Sequence, residues 1–261
     1  MRRTEVHVQN VQLEAIRAWR DPYRREMDCQ IIHDSIHVRP GWTNEYLLSV
    51  SGEPVGYGSV AVGGPWREAH AAYELYIAPP ARVHFFDLAE AFLRASAAAA
   101  IEVQSNDHLG LMLVHAFAGD VRAESILFED VETTRHGVDG ATWRHPTKVD
   151  VADLSDDDRR WRGVIEVDGQ IAATGGVLFH YNRPYGDIYM EVLEPFRGRG
   201  LATLMVQELK RLCRESGFIP AARCNPGNLA SRRALQKAGF APCGYILTGP
   251  VAADLGGLKR R

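Results

Sequence analysis

Apolar and polar residues alternate in short blocks along most of the chain. In WRGVIEVDGQIAATGGVLF (161–179) two apolar runs flank Asp168-Gly169. That dipeptide tolerates positive φ at both turn positions and predicts a β-hairpin. IYMEVL (188–193) predicts a strand. From Leu201 to Ser216, apolar residues fall at 201, 204, 205, 209, 212 and 213, the period of an amphipathic helix. Lys210, Arg211 and Arg214 crowd its end, where cations suit the helix dipole, and Gly217 stops it. FIPAARC (218–224) predicts another strand, Asn228 caps a short helix over 229–238 that Gly239 ends, and CGYILTG (243–249) predicts a last strand.

The first half reads the same way. A helix is expected over Val11–Met27, broken at Pro22. YLLSVSGEPVGYGSVAV (46–62) predicts a hairpin around Ser51-Gly52, AYELYIAP (72–79) a strand, and Asp87–Ala99 a helix. ESILFEDVETT (124–134) and ATWRH (141–145) predict a closing pair of strands. The order hairpin, strand, helix, strand, helix, strand thus occurs twice, offset by roughly 116 to 122 residues, with Pro79 opposite Pro195. A diverged duplication explains this, as does a loose likeness between two α/β halves. The expected division is 1–147 and 148–261, inside the polar stretch HPTKVDVADLSDDD (145–158), with the two halves packed together. The fold class is α/β, with mixed sheets.

Composition narrows the function. The chain has 261 residues, 46% hydrophobic and 24% charged, and its 30 basic and 33 acidic side chains leave a formal charge of −3. That balance disfavours a general nucleic-acid or anionic-membrane binder. Cys29, Cys213, Cys224 and Cys243 form no CxxC pair, so neither a disulfide framework nor a metal site is expected. No run approaches the roughly 18 apolar residues that span a bilayer. The opening MRRTEVHVQNVQLEAIRAW lacks the apolar core of a secretory signal, so a cytoplasmic monomer or homodimer is expected.

One segment carries chemistry. Glu194-Pro-Phe-Arg-Gly-Arg-Gly-Leu-Ala202 lies between a predicted strand and a predicted helix. Gly198 and Gly200 let the backbone turn sharply and bare its N–H groups at a helix N-terminus, where an anion is favoured. Arg197 and Arg199 add fork-shaped donors suited to phosphate oxygens. The segment reads as a diphosphate seat; a basic turn that merely caps the helix is the plainer alternative. No Gly-Lys-Ser/Thr is present, and Gly198-x-Gly200-x-x-Thr203 lacks the third glycine of a dinucleotide fingerprint.

Arg197-x-x-Gly200-x-Ala202, followed by Asn228-Leu-Ala-Ser-Arg-Arg-Ala-Leu-Gln-Lys-Ala-Gly-Phe240, resembles the GNAT superfamily of N-acetyltransferases over about residues 161–250. The resemblance implies a mixed sheet whose central strands splay around acetyl-CoA, and direct acetyl transfer to a small-molecule or peptide amine. It implies that Met190, Glu191 and Val192 meet the acetyl and pantetheine groups, that Arg197, Gly198, Arg199, Gly200, Leu201 and Ala202 hold the diphosphate, and that Asn228 and Ser231 reach the coenzyme. Leu235 stands where many members carry an acidic tyrosine, leaving Tyr245 as a substitute. Glu191 and Asp187 are the candidate bases, and Cys224 reads as a buried thiol. In the first half Ala81, His84 and Phe86 face Arg197, Gly200 and Ala202, which implies a degenerate copy without coenzyme. Its aromatics Trp19, Tyr23, Trp42, Tyr73 and Tyr76 read either as the wall of an acceptor pocket or as core packing. A non-catalytic acyl-CoA-binding module is the alternative reading.

Overall fold

Ser51 and Gly52 adopt φ of 52° and 85°, and Asp168 and Gly169 adopt 51° and 73°. Both predicted hairpins therefore close as two-residue turns in the computed structural model, which describes residues 5–150 and 155–255. The chain start (1–4) and the centre of the predicted boundary (151–154) lie outside the described residues. Two compact units emerge, one of residues 1–124 with 245–261 and one of residues 125–244.

The first unit contains β1 (Val6–Val11), α1 (Leu13–Met27), β2 (Thr43–Val50), β3 (Glu53–Ala61), β4 (Ala71–Ile77), α2 (Phe85–Ser96), β5 (Ala100–Gln104) and α3 (His108–Phe117). Its strands lie in the order β1-β2-β3-β4-β5, and residues 246–250 pair antiparallel with the far edge of β5. Strand β1 is not evident from the sequence pattern, because its inward residues Val6, Val8 and Val11 are only partly buried and it is held to β2 by its ladder. Helix α1 continues through Pro22 instead of breaking there. Ile16, Arg20 and Tyr23 are buried at helical spacing, and that anchoring on both sides offsets the hydrogen bond that proline removes.

A charged network fills this unit's interior. His37 Nδ1 lies 2.8 Å from Glu45 Oε1, and its Nε2 lies 3.1 Å from Glu74 Oε1 and 2.8 Å from the Tyr73 hydroxyl. Tyr57 donates to Glu74, Ser59 donates to Glu45, and Arg20 bonds Asp34 Oδ1 at 2.6 Å. Tyr23, Tyr73 and Tyr76 are each 5% exposed within the same interior. They are core residues, so of the two sequence readings core packing holds for them and a pocket wall does not. Strands β4 and β5 pair only at Ala71↔Ala100 and Ala72↔Ile101. Beyond that point Tyr73, Glu74, Val103 and Gln104 close the gap, leaving a cavity of about 10 Å³.

The second unit contains β6 (Arg122–Asp130, entering at Ser125), β7 (Ala141–Arg144), α4 (Asp156–Arg159), β8 (Arg162–Val167), β9 (Gln170–Leu178), β10 (Tyr185–Val192), α5 (Leu201–Glu215), β11 (Ile219–Cys224) and α6 (Leu229–Lys237). Strand β12 (Phe240–Pro250) starts here and passes into the first unit at Tyr245. The order is β6-β11-β10-β9-β8-β7. Leu201, Met205, Leu209 and Cys213 of α5 pack on Ile165, Ala173, Val177, Ile188 and Ala222 of the sheet.

The closing strand pair expected at 124–145 does not form: β6 runs antiparallel to β11, and β7 to β8. Ile126 and Phe128 thereby enter the core under α5. The compact units consequently depart from the expected 1–147 and 148–261 division. Strand β6 completes the second unit, and the end of β12 completes the first.

Burial disfavours charge on His37, but Glu74 and Glu45 outweigh it and push its pKa up to about 9. The folded value thus exceeds the ordinary one of about 6.5. This contribution to stability is complete below pH 6.5, falls as pH rises, and is gone above about pH 9. Denaturant unfolding is expected to show a loss on the order of 3 kcal/mol across that window, with a much smaller slope in His37→Gln.

Candidate functional site

Strands β10 and β11 run parallel from Tyr185↔Ile219 to Ile188↔Ala222, and their pairing ends there. Strand β11 stays with β6 as far as Cys224↔Ile126. Strand β10 stays with β9 without a register shift from Asp187↔Leu178 to Val192↔Ala173. The two strands therefore part beyond Ile188, and the β11-side edge of residues 189–192 has no strand partner. The unbroken register also settles the faces. Ile188, Met190 and Val192 pack toward the α5 core, so Asp187, Tyr189 and Glu191 share the opposite face.

Helix α5 begins where this edge ends. Its N-cap is Gly200, at φ +84°, with no side-chain cap. The first-turn amides are left without intrahelical acceptors. Gly198, at φ +79°, faces open space: a Cβ there would meet nothing within 4 Å. Arg197 donates from Nε to Val192 O at 3.1 Å, tying the loop to the strand end, and its two terminal nitrogens have no partner among the described residues. A cleft of about 590 Å³ opens over this loop. Met190, Glu191, Val192, Arg197, Gly198, Gly200, Leu201, Ala202, Asn228 and Ser231 all line it. Arg199 is not part of that lining; its guanidinium lies 5.7 Å from the Phe196 ring centre. The α6 residues Arg233 and Lys237 do line the cleft and were not anticipated.

The connection between β6 and β7 braces the loop from behind. Lys210 bonds Glu132 O at 2.7 Å, and Gln207 accepts from the His136 amide at 2.6 Å while donating to its carbonyl at 3.3 Å. This strap sets the His136 ring against Gly200, where a Cβ would lie 2.8 Å from Nε2.

Asp187 is 5% exposed, with Oδ2 3.0 Å from His180 Nε2 and 3.6 Å from Arg223 Nε. The buried Tyr181 hydroxyl is pushed well above its ordinary value by burial and by Asp187. His180, Tyr181 and Arg223 come together only through strand pairing and carry no motif in the sequence. Glu191 is exposed on the cleft wall. Tyr245 is absent from the lining; its backbone pairs with Ser105 in the first unit. Leu235 is buried in the core, and burial pushes the Cys224 thiol up, away from the thiolate a nucleophile needs.

The first unit repeats one feature and lacks the rest. Arg82, not Ala81, takes the place of Arg197: its Nε donates to Ile77 O at 2.9 Å, five residues back. Its Nη2 is spent on Glu26, and the helix starts at Phe85 and Phe86 without a glycine.

The donor set suits a diphosphate: bare amides at a helix start, an open glycine and a tethered arginine. Gly198→Ala is expected to cost about 1 kcal/mol in denaturant unfolding, from the left-handed φ alone. Gly200→Ala is expected to cost about 1 kcal/mol more, through the clash with His136. Adding His136→Ala should erase that difference.

Residues 127–240 match the family described as acetyltransferase (GNAT) family. A search of curated proteins finds no match. Among solved structures, an acetyltransferase of the GNAT family from Colwellia psychrerythraea is 13% identical, covering 94% of this chain and 100% of that one, with a TM-score of 0.70. A GCN5-related N-acetyltransferase from Sphaerobacter thermophilus is 15% identical, covering 94% and 95%, with a TM-score of 0.61. A tandem GNAT protein from the clavulanic acid biosynthesis pathway is 15% identical, covering 96% and 100%, with a TM-score of 0.59. At these identities the structures speak for the fold, which they share over nearly the whole chain. No helix among the described residues is long and apolar enough to cross a membrane. The second unit, which the matched segment nearly fills, is thus similar to the acetyltransferase (GNAT) family, and the chain shares its fold with these solved structures.

Proposed function

We propose that the chain is an N-acetyltransferase that moves an acetyl group from acetyl-CoA to a primary amine by direct attack, at one working site in the second unit. The observation that carries this reading is the uncapped, glycine-lined start of α5, opening onto the edge where β10 leaves β11. Acetyl-CoA, when bound, supplies an activated thioester. In this reading the amides of Gly198 to Ala202 and the free end of Arg197 hold the diphosphate. The unpaired edge at Met190 to Val192 aligns the acyl arm and offers a backbone donor to the developing oxyanion. Asn228 and Ser231 form the α6 wall.

An alkylammonium acceptor has a pKa near 10.4, and removing its proton through a placed base is worth roughly 10² to 10⁴ in rate. Asp187 is assigned that task, with His180 relaying the proton and Arg223 orienting the carboxylate. Glu191, on the same face, is the carboxylate that lines the cleft itself, whereas Asp187 lies buried outside that lining. Among the described residues no tyrosine lines the cleft. A thiol of pKa about 8.5 leaves without such an acid. The first unit, with phenylalanines in place of the glycine loop and its strand gap filled, is proposed as a degenerate copy that binds no coenzyme.

Release of free thiol from acetyl-CoA across a panel of primary amines tests this function. Turnover with at least one amine is expected; coenzyme binding without release on any amine would instead mark a non-catalytic binding module. CoA at a hundredfold excess over its dissociation constant is expected to stabilise the fold by about 2.7 kcal/mol. Arg197→Ala is expected to raise that constant about tenfold or more. Asp187→Asn is expected to lower kcat by roughly 10² to 10⁴ while leaving coenzyme affinity within a factor of about three.

A further inference from the structure

Helix α6 places Arg233 and Lys237 one turn apart on the cleft wall. Like charges at that spacing repel. No residue of α6 is acidic, and a third cation, Arg232, lies beside Arg233. Neither cation has an ion-pair partner among the described residues. The contrast with other surface helices is clear: Arg94 is paired with Glu90, and Arg211 with both Glu208 and Glu215. Two cations without an ion-pair partner thus face a cleft whose lining holds one carboxylate, Glu191, and whose opposite wall, at the start of α5, already provides for one anion through its amides and Arg197.

We infer that Arg233 and Lys237 form a second anion station, for a phosphomonoester, and that the cleft selects coenzyme A by its ribose 3′-phosphate as well as its diphosphate. This rests on the coenzyme reading given above. A phosphomonoester carries about −1.5 to −2 charges at neutral pH, with its second pKa near 6. It therefore matches two cations better than any neutral or singly charged group. Arginine contributes a forked donor and lysine a mobile point charge, so the pair holds such a group without a fixed geometry. Occupation also removes the repulsion between the two side chains.

Calorimetric titration of the full chain with coenzyme A and with 3′-dephospho-coenzyme A reads this directly, with no turnover involved. At low salt and pH 7.5 the intact chain is expected to bind coenzyme A about tenfold more tightly than the dephospho form. The preference is expected to shrink as pH falls below about 6. The double variant Arg233→Ala, Lys237→Ala is expected to bind the two ligands within about twofold of each other. Its affinity for the dephospho form should change little, and the charge-conserving Arg233→Lys, Lys237→Arg should retain the preference. Arg197→Ala is expected to weaken both ligands alike. Equal binding of the two ligands by the intact chain overturns the inference alone. So does a double variant that weakens both to the same degree, since the cations then serve the diphosphate. Binding of neither ligand overturns the coenzyme reading and this inference with it.

Discussion

The amides at the start of α5 have no acceptor, and the rest of the site is organised around keeping them that way. A serine or aspartate at the N-cap would satisfy them from within; Gly200 cannot. The φ of +84° that turns the loop excludes most other residues at little cost to glycine. The helix cannot drift to find other partners. Met205, Val206 and Leu209 are fully buried beneath it, and Lys210, itself 2% exposed, is bonded to Glu132 and Ala238 carbonyls. Arg197, clipped to Val192, fixes the distance between these donors and the end of β10. A rigid set of unsatisfied donors beside a free strand edge favours an anionic ligand with an extended arm.

The first unit shows what happens when the same scaffold is filled. Arg82 repeats the clip of Arg197, and β4 leaves β5 after two residue pairs, much as β10 leaves β11. There the helix starts with the buried Phe85, and the strand gap holds Tyr73 and Glu74. Glu74, His37, Glu45 and Arg20 neutralise one another inside, so charge that would face a ligand in a working site is spent on the interior. Removing one partner from such a network leaves an uncompensated buried charge, which makes the network a fixed feature of this unit.

Much of this was legible from local pattern. The two turns, α5 and the glycine loop depend on residues adjacent in sequence, and Ser51-Gly52, Asp168-Gly169 and Gly198 to Gly200 behave as their chemistry requires. What failed depends on long-range choices. A period of two identifies ESILFEDVETT as a strand without naming its neighbour, and the neighbour proved to be β11. Pro22 signals a break only where nothing else holds the helix. The grouping of His180, Asp187 and Arg223 needs β10 and β11 aligned by register with the segment just past β9, and the continuous ladder of β10 with β9 decides which carboxylates share a face. Arg233 and Lys237 lie inside the recognised Asn228 to Phe240 motif, yet only the cleft shows that both face the ligand side.

The central claim is that backbone donors at residues 198–202 take the diphosphate. Titrating the isotope-labelled chain with coenzyme A, while following each backbone amide by nuclear magnetic resonance, tests it most directly. The account predicts that the largest downfield shifts fall on the amides of Gly198, Gly200, Leu201 and Ala202, saturating together at one dissociation constant. Shifts centred elsewhere, with those four amides unmoved at saturation, would contradict it.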